Sequence, residues 1–250
     1  MFSVRSPRIT VFPDDRTAAR VVAARLASAL QENPRLVLGL ATGRTPIALY
    51  AELVRVSAAR GLDWSKATTF NLDEFVGIHP DDPSSYRRFM QQHLFQHVNL
   101  DPARTNFLVG TADPDAECLR YERAVGDAGG IDIQILGIGT NGHIGFNEPA
   151  PTLEARTHRV RLQPETRRSN AALFGGEIDR VPFEALSMGM ATILQARTAV
   201  LLAHGERKAD CIAKVVDGPL TTSVPASFLQ LHPDADLILD AAAASKLANR

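Results

Sequence analysis

Short apolar runs alternate along this chain with stretches whose apolar residues recur every three or four positions. RITVF (8–12), RLVLGLA (35–41), ATTFNL (67–72), NFLVG (106–110) and IDIQILGIG (131–139) read as strands. Between them, helical spacing runs from near Asp14 to about Gln31, from Pro46 to about Ala59, across 84–98 with Ser84 or Ser85 as the cap, and through DAECLRYERAV. The second half repeats the alternation in THRVRL, a segment around 164–174, ALSMGM, TILQA, TAVLLAHG, ERKADCIAKVVDG and DLILD. Strands alternating with helices predict right-handed βαβ crossovers, hence an α/β fold: a doubly wound, mostly parallel, Rossmann-like sheet with helices on both faces. No low-complexity linker and no internal repeat divides the chain, so a single domain over residues 1–250 is expected.

Composition narrows the function classes. A chain of 250 residues buries a substantial core without disulfides or metals, and 45% hydrophobic with 22% charged residues is ordinary for a globular protein. A net charge of -1 gives no long-range attraction to nucleic acid or to an anionic membrane. Cys118 and Cys211 lie far apart and form no metal-ligand spacing, which favours a reducing compartment. The opening MFSVRSPRITVF lacks a continuous apolar segment, and no apolar run is long enough to span a bilayer. The expectation is a cytoplasmic protein acting on a small molecule.

In a doubly wound sheet, ligands bind beyond the carboxyl ends of the strands. Three such loops carry chemistry here. In TGRTP, Thr45 can cap the following helix and Pro46 can begin it, while Gly43 lets backbone approach a ligand. Exposed amides at that helix start suit phosphate, although an ordinary βα turn uses the same residues. In NLDEF, Asp73 and Glu74 are adjacent, so at most one easily points into the crevice. A partly desolvated carboxylate there can move protons beside a carbonyl; a solvated acidic turn is the alternative. Further on, Lys208 falls in the first turn of a helix, where a bound anion would offset its unfavourable place against the dipole; a solvated lysine is the alternative, and the simpler one locally.

The third loop, LGIGTNGHIGFNEP (136–149), spells G-x-G-x-x-G after a strand. A dinucleotide turn needs a helix starting at the glycines, and Gly145, Pro149 and Pro151 forbid one. No acidic residue follows at ribose distance either, since THRVRL ends in an apolar residue after arginine. The glycines instead make tight turns that bring Asn141, His143 and Glu148 towards one point, a general acid/base arrangement.

The set TGRTP, FNLDEFVGI, SYRRFM, LGIGTNGHIGFNEP, HGERKA and FLQLHP, collinear over nearly the whole chain, resembles the glucosamine-6-phosphate deaminase (isomerase) family. The resemblance implies conversion of glucosamine 6-phosphate and water to fructose 6-phosphate and ammonia, with no metal and no organic cofactor. It implies that His143 takes and returns the proton during ring opening, with Glu148 and Asn141 orienting it; some members have Asp at the latter position. Asp73 would carry a proton from C2 to C1, and Ala41, Thr42, Gly43, Arg44, Thr45 and Lys208 would hold the phosphate. The segment from about 151 to 185 is the expected mobile lid.

Two departures matter. Where the family commonly has an arginine for the phosphate, this chain has Ala172, and Arg44 stands where a small residue is common; Arg44 or Arg168 is the expected substitute. Galactosamine 6-phosphate is the alternative substrate, a 6-phosphogluconolactonase-like hydrolase the alternative enzyme, and a sugar-phosphate sensor the alternative outside enzymes. His158 and Val160 also occupy positions that are basic in allosteric hexameric members, so a monomer or small homo-oligomer without that activation is expected, with no nucleic-acid or membrane partner.

Overall fold

The computed structural model of the chain describes residues 6–248. Its first half contains β1 (Arg8–Phe12), α1 (Asp15–Glu32), β2 (Val37–Leu40), α2 (Ile47–Arg60), β3 (Thr68–Asn71), β4 (Asp73–Phe75), α3 (Tyr86–His93), β5 (Thr105–Asn106), α4 (Pro114–Asp127) and β6 (Ile133–Leu136). The second half contains β7 (His158–Arg161), α5 (Pro164–Asn170), β8 (Glu184–Ser187), α6 (Met190–Leu194), β9 (Thr198–Ala203), α7 (Ala209–Asp217) and β10 (Ala235–Asp240). Helix starts follow side-chain chemistry: Asp14, Ser85 and Asp113 each accept a backbone N–H of the turn they open. The helix expected over 84–98 stops at His93, because Leu94 leaves helical geometry and a 3-10 turn (Phe95–His97) completes the segment.

Seven strands pair in parallel in the order β1-β10-β9-β6-β2-β3-β5. Every residue of β2 and β6 is buried, as befits strands covered on both faces. From β2 the chain winds outwards through β3 to β5; from β6 it winds the other way through β9 to β10. The reversal lies between β2 and β6, and sheets of this kind bind ligands beyond the carboxyl ends at such a reversal. The loops 41–46 and 137–149 leave these two neighbouring strands. Among the described residues, no helix is long and apolar enough to cross a membrane.

A second sheet was absent from the expected pattern. DEF, read as a loop after a strand, is β4, which pairs antiparallel with β8, and β8 pairs antiparallel with β7. The switch occurs within one residue: the Leu72 N–H donates to Leu40 O in the parallel sheet, while the Leu72 carbonyl accepts from Met188 N. The small sheet has its own core of Phe75, Tyr86, Phe146, Leu162, Phe174, Val181 and Ala185. Phe75 is its centre, with ring centroids 4.9 Å from Tyr86, 5.2 Å from Phe174 and 5.5 Å from Phe146. Segment 158–185 is thereby packed onto the molecule through apolar contacts, and Phe146 of the long loop belongs to the same cluster.

The edge strand β1 is tied to β10 by charge as well as by its ladder. Asp236, whose side chain is 7% exposed, accepts from Arg8 Nε at 2.6 Å and also from Arg25 on α1. Removing the carboxylate leaves the Arg25 guanidinium without its partner and Arg8 with Asp234 alone, and the partial exposure of both arginines tempers the loss. Asp236→Ala should therefore lower stability by about 2 kcal/mol in urea unfolding followed by circular dichroism; an unchanged midpoint would show that the network holds nothing together.

Candidate active site

The loop after β2 presents backbone to the crevice. Tyr50, buried on α2, donates its hydroxyl to the Ala41 carbonyl at 2.5 Å and so fixes the start of the loop. Gly43 takes φ +94°, a conformation that side-chain-bearing residues rarely adopt, and a Cβ built there meets nothing within 4 Å. Open space on that side leaves the turn accessible. Thr45, expected to cap α2, makes no capping bond: Pro46 opens the helix without an N–H to satisfy, and the Ile47 N–H reaches back to Arg44 O at 3.4 Å. The Thr42 and Thr45 side chains are half-buried at the positive end of a 14-residue helix.

Lys208 reaches the same place from β9. It lies in a 3-10 turn (Glu206–Lys208) just before α7, at the cap position and not in the helix's first turn as expected. Its Nζ donates to the Ile138 carbonyl at 2.5 Å, binding this turn to the loop after β6. Burial lowers the Lys208 pKa, and the nearby Arg44 charge lowers it further. Neither cation forms a carboxylate ion pair among the described residues. Two uncompensated cations beside a helix N-terminus make an anion site. Arg168 and Ala172 are both solvent-exposed on and just after α5.

The loop after β6 is built around the imidazole of His143. A Cβ on Gly139 would lie 2.3–2.6 Å from that ring, so only glycine permits the ring's position. His143 Nδ1 stands 3.4 Å from Glu148 Oε2, an electrostatic contact longer than a formed hydrogen bond. Asn141 acts one step back from the ring. Its amide donates to Glu148 Oε2 at 3.0 Å, and its carbonyl oxygen accepts the His143 backbone N–H at 3.2 Å. Burial opposes charge on Glu148, but His143, Thr166 and Asn141 outweigh it and hold its pKa below the ordinary value. A carboxylate kept ionised beside a histidine is what a proton-transferring imidazole needs.

Asp73 and Glu74 divide as adjacent strand residues must, one to each side. Glu74 turns away to cap α3, accepting the backbone N–H groups of Phe75, Tyr86 and Arg87. Asp73 is 6% exposed, and its Oδ1 has no hydrogen-bond partner among the described residues. A Cβ built on Gly145 would lie 3.0 Å from Ser187 Oγ and 3.8 Å from Asp73 Oδ2, so this carboxylate borders the histidine loop. Burial, reinforced by the Glu74 charge, pushes the Asp73 pKa up to about 8. A carboxylate this basic, dry and unpaired is matched to taking a proton from a weak carbon acid.

The structure brings Asp73, Asn141, His143, Glu148, Ala41 to Thr45 and Lys208 to the carboxyl ends of β2, β6 and β9 and the adjoining β4. It adds residues that the sequence reading passed over. Tyr86 is buried, and its hydroxyl donates to Asn170 Oδ1 at 3.0 Å with Thr42 close by. Gln163 and Thr166 stand against Glu148. SYRRFM and the Gln163–Pro164 helix start were the available signals, but neither says which loop it will meet.

A family model described as glucosamine-6-phosphate isomerases/6-phosphogluconolactonase matches residues 15–238. A glucosamine-6-phosphate deaminase from Hahella chejuensis is 47% identical over 240 residues, covering 96% of this chain and 92% of that protein. Glucosamine-6-phosphate deaminase 2 of Bacillus subtilis is 49% identical over 230 residues, covering 91% of this chain and 92% of its own length. A solved structure of a monomeric glucosamine-6-phosphate deaminase superposes with a TM-score of 0.92 at 42% identity, covering 96% of this chain and 99% of that one.

The raised Asp73 pKa carries a stability signature. Between the ordinary carboxylate value of 3.8 and about 8 the folded protein keeps a proton that the unfolded chain has released. Stability should therefore fall as pH rises through this window. Asp73→Asn removes that penalty, so the variant should gain on the order of 4 kcal/mol relative to the native chain between pH 5 and pH 9. Thermal unfolding at both pH values reads this directly, and parallel pH slopes for the two proteins would mean that the carboxyl is not perturbed.

Proposed function

The chain belongs to the family of glucosamine-6-phosphate isomerases and 6-phosphogluconolactonases, and from that premise we propose that it is a glucosamine-6-phosphate deaminase. It converts glucosamine 6-phosphate and water to fructose 6-phosphate and ammonia. The observation that carries this choice within the family is Asp73: a buried, unpaired carboxylate raised to about 8. Hydrolysis of a lactone has no use for a base at a carbon face, and a sensor has no use for one at all.

In this reading the phosphate sits on the backbone of Ala41 to Thr45, with Lys208 and Arg44 supplying charge. His143 takes the proton of the C1 hydroxyl and delivers it to the ring oxygen as the C1–O bond breaks, giving the open-chain aldehyde. Glu148 balances the transient imidazolium, and Asn141 fixes Glu148. Asp73 then removes the C2 proton while the aldehyde oxygen gains one, forming an enolamine. Returning that proton to C1 leaves an imine at C2. Water adds to the imine carbon and ammonia departs, leaving the ketone. Two bases thus divide the work, one at the ring oxygen and one at the carbon face.

The segment 151–185 serves as the lid over the sugar, carrying α5 and the 3-10 turns Ala171–Phe174 and Ile178–Arg180. Arg44 takes the place of the arginine that Ala172 does not supply. The protein works in the cytoplasm as a monomer or small homo-oligomer.

The native chain should release ammonia from glucosamine 6-phosphate and more slowly from galactosamine 6-phosphate, and Asp73→Asn should lower kcat by about a hundredfold or more. Arg44→Gly should raise KM by about tenfold with kcat nearly unchanged, since the phosphate is gripped alike in ground and transition states. No release from either sugar would return the lactonase and sensor readings to the front. An unchanged KM in the Arg44 variant would end its assignment as the phosphate cation.

A further inference from the structure

Glu148 is held from two elements at once. Its Oε2 faces its own loop, receiving the Asn141 amide at 3.0 Å and lying 3.4 Å from His143 Nδ1. Its Oε1 faces the start of α5 and accepts the backbone N–H of Gln163 at 3.2 Å. Two more hydrogen bonds join the same pair of segments: Gln163 Nε2 donates to Pro149 O at 2.9 Å, and Thr140 Oγ1 donates to Glu165 Oε1 at 2.5 Å. The buried Thr166 hydroxyl has no formed hydrogen bond among the described residues but stands close enough to the Glu148 carboxylate to help hold its pKa down. Helix α5 is short, so helix dipole is no explanation; the contacts are specific donors.

Resting on the deaminase reading, we propose that Gln163 and Thr166 are positioning residues for the ring-opening step: docking of the α5 start onto the histidine loop orients Glu148 and keeps it ionised beside His143. When 163–166 lifts away with the lid, Glu148 loses its donors from α5, and His143 loses a fixed counter-charge. Ring opening is then competent only under a closed lid, which keeps the reactive aldehyde from forming in an open site. The charged and titratable groups around Glu148 leave the donors room to act. His143 is the titratable group in contact with it, Glu165 is turned to Thr140, and Arg161 and Arg168 are solvent-exposed at the end of β7 and on α5.

The test compares native chain, Thr166→Val, Thr166→Ser and Gln163→Ala, measuring the pH dependence of kcat and kcat/KM for ammonia release. Thr166→Val takes away the hydroxyl beside Glu148, and Gln163→Ala keeps the backbone N–H but cuts the Pro149 tether that holds it against the carboxylate. Either change makes Glu148 easier to protonate, so the acidic limb in both variants should move to higher pH by roughly half a unit or more. At neutral pH kcat should fall about three- to tenfold while KM, set mainly by the phosphate grip, stays within about twofold. Thr166→Ser, which keeps the hydroxyl, should restore the limb. Equal limbs in all four proteins would overturn the proposal even where kcat falls, because loosened packing scales a rate without moving a titration. If Thr166→Val does not fold, Gln163→Ala decides alone, since Gln163 is only half-buried. A native chain that releases no ammonia defeats the deaminase reading and this proposal together; an active native chain with unmoved limbs defeats this one alone.

Discussion

A carboxylate kept from water with no counter-ion is expensive, and the fold around Asp73 is what sustains it. The expense is borne by the packing of two sheets. The chain leaves the parallel sheet at Leu72 and enters the antiparallel one at Asp73, so the side chain is walled in by strand pairing on one side and the histidine loop on the other. Its neighbour Glu74 is equally buried but has three backbone donors. Burial raises both carboxyls, Glu74 to about 7 and Asp73 to about 8, and what separates these adjacent acids is their partners: Glu74 is hydrogen-bonded and Asp73 is not.

The rest of the site follows from topology. Winding reverses between β2 and β6, so the glycine turn after β2 and the histidine loop emerge side by side. Lys208 ties them to β9 through its bond to Ile138. The small sheet carries the third side, because β7 and β8 frame segment 158–185 and Phe75 seats it against Tyr86, Phe146 and Phe174. Phe146 belongs to the loop that holds His143, and Gln163 touches Glu148. The apolar footing of segment 158–185 and its polar contact with Glu148 are therefore parts of one arrangement.

Much of this was legible in the residues. Buried parallel strands announce themselves as apolar runs, and the proline and glycine spacing of GTNGHIGFNEP was enough to exclude a dinucleotide turn. That Asp73 and Glu74 would not both face the site was legible from their adjacency alone. What was not legible depends on long-range pairing. β4 has three residues and its partner β8 lies more than a hundred positions away, so no local pattern marks DEF as a strand. Thr45 looked like a helix cap because its residue type favours one, yet Pro46 had already removed the need. Gln163 and Thr166 carry no motif; their meaning appears only when α5 is laid against the histidine loop.

The central claim is that one enclosed group, Asp73, takes the proton from C2 and returns it to C1. The most direct measurement is a single turnover of glucosamine 6-phosphate deuterated at C2, in ordinary water, with the product's C1 examined by NMR. A buried carrier with little access to solvent predicts that part of the deuterium arrives at C1 of fructose 6-phosphate. Product without deuterium at C1 would mean that the proton is exchanged with solvent or handled by separate groups, and the account of Asp73 would be wrong.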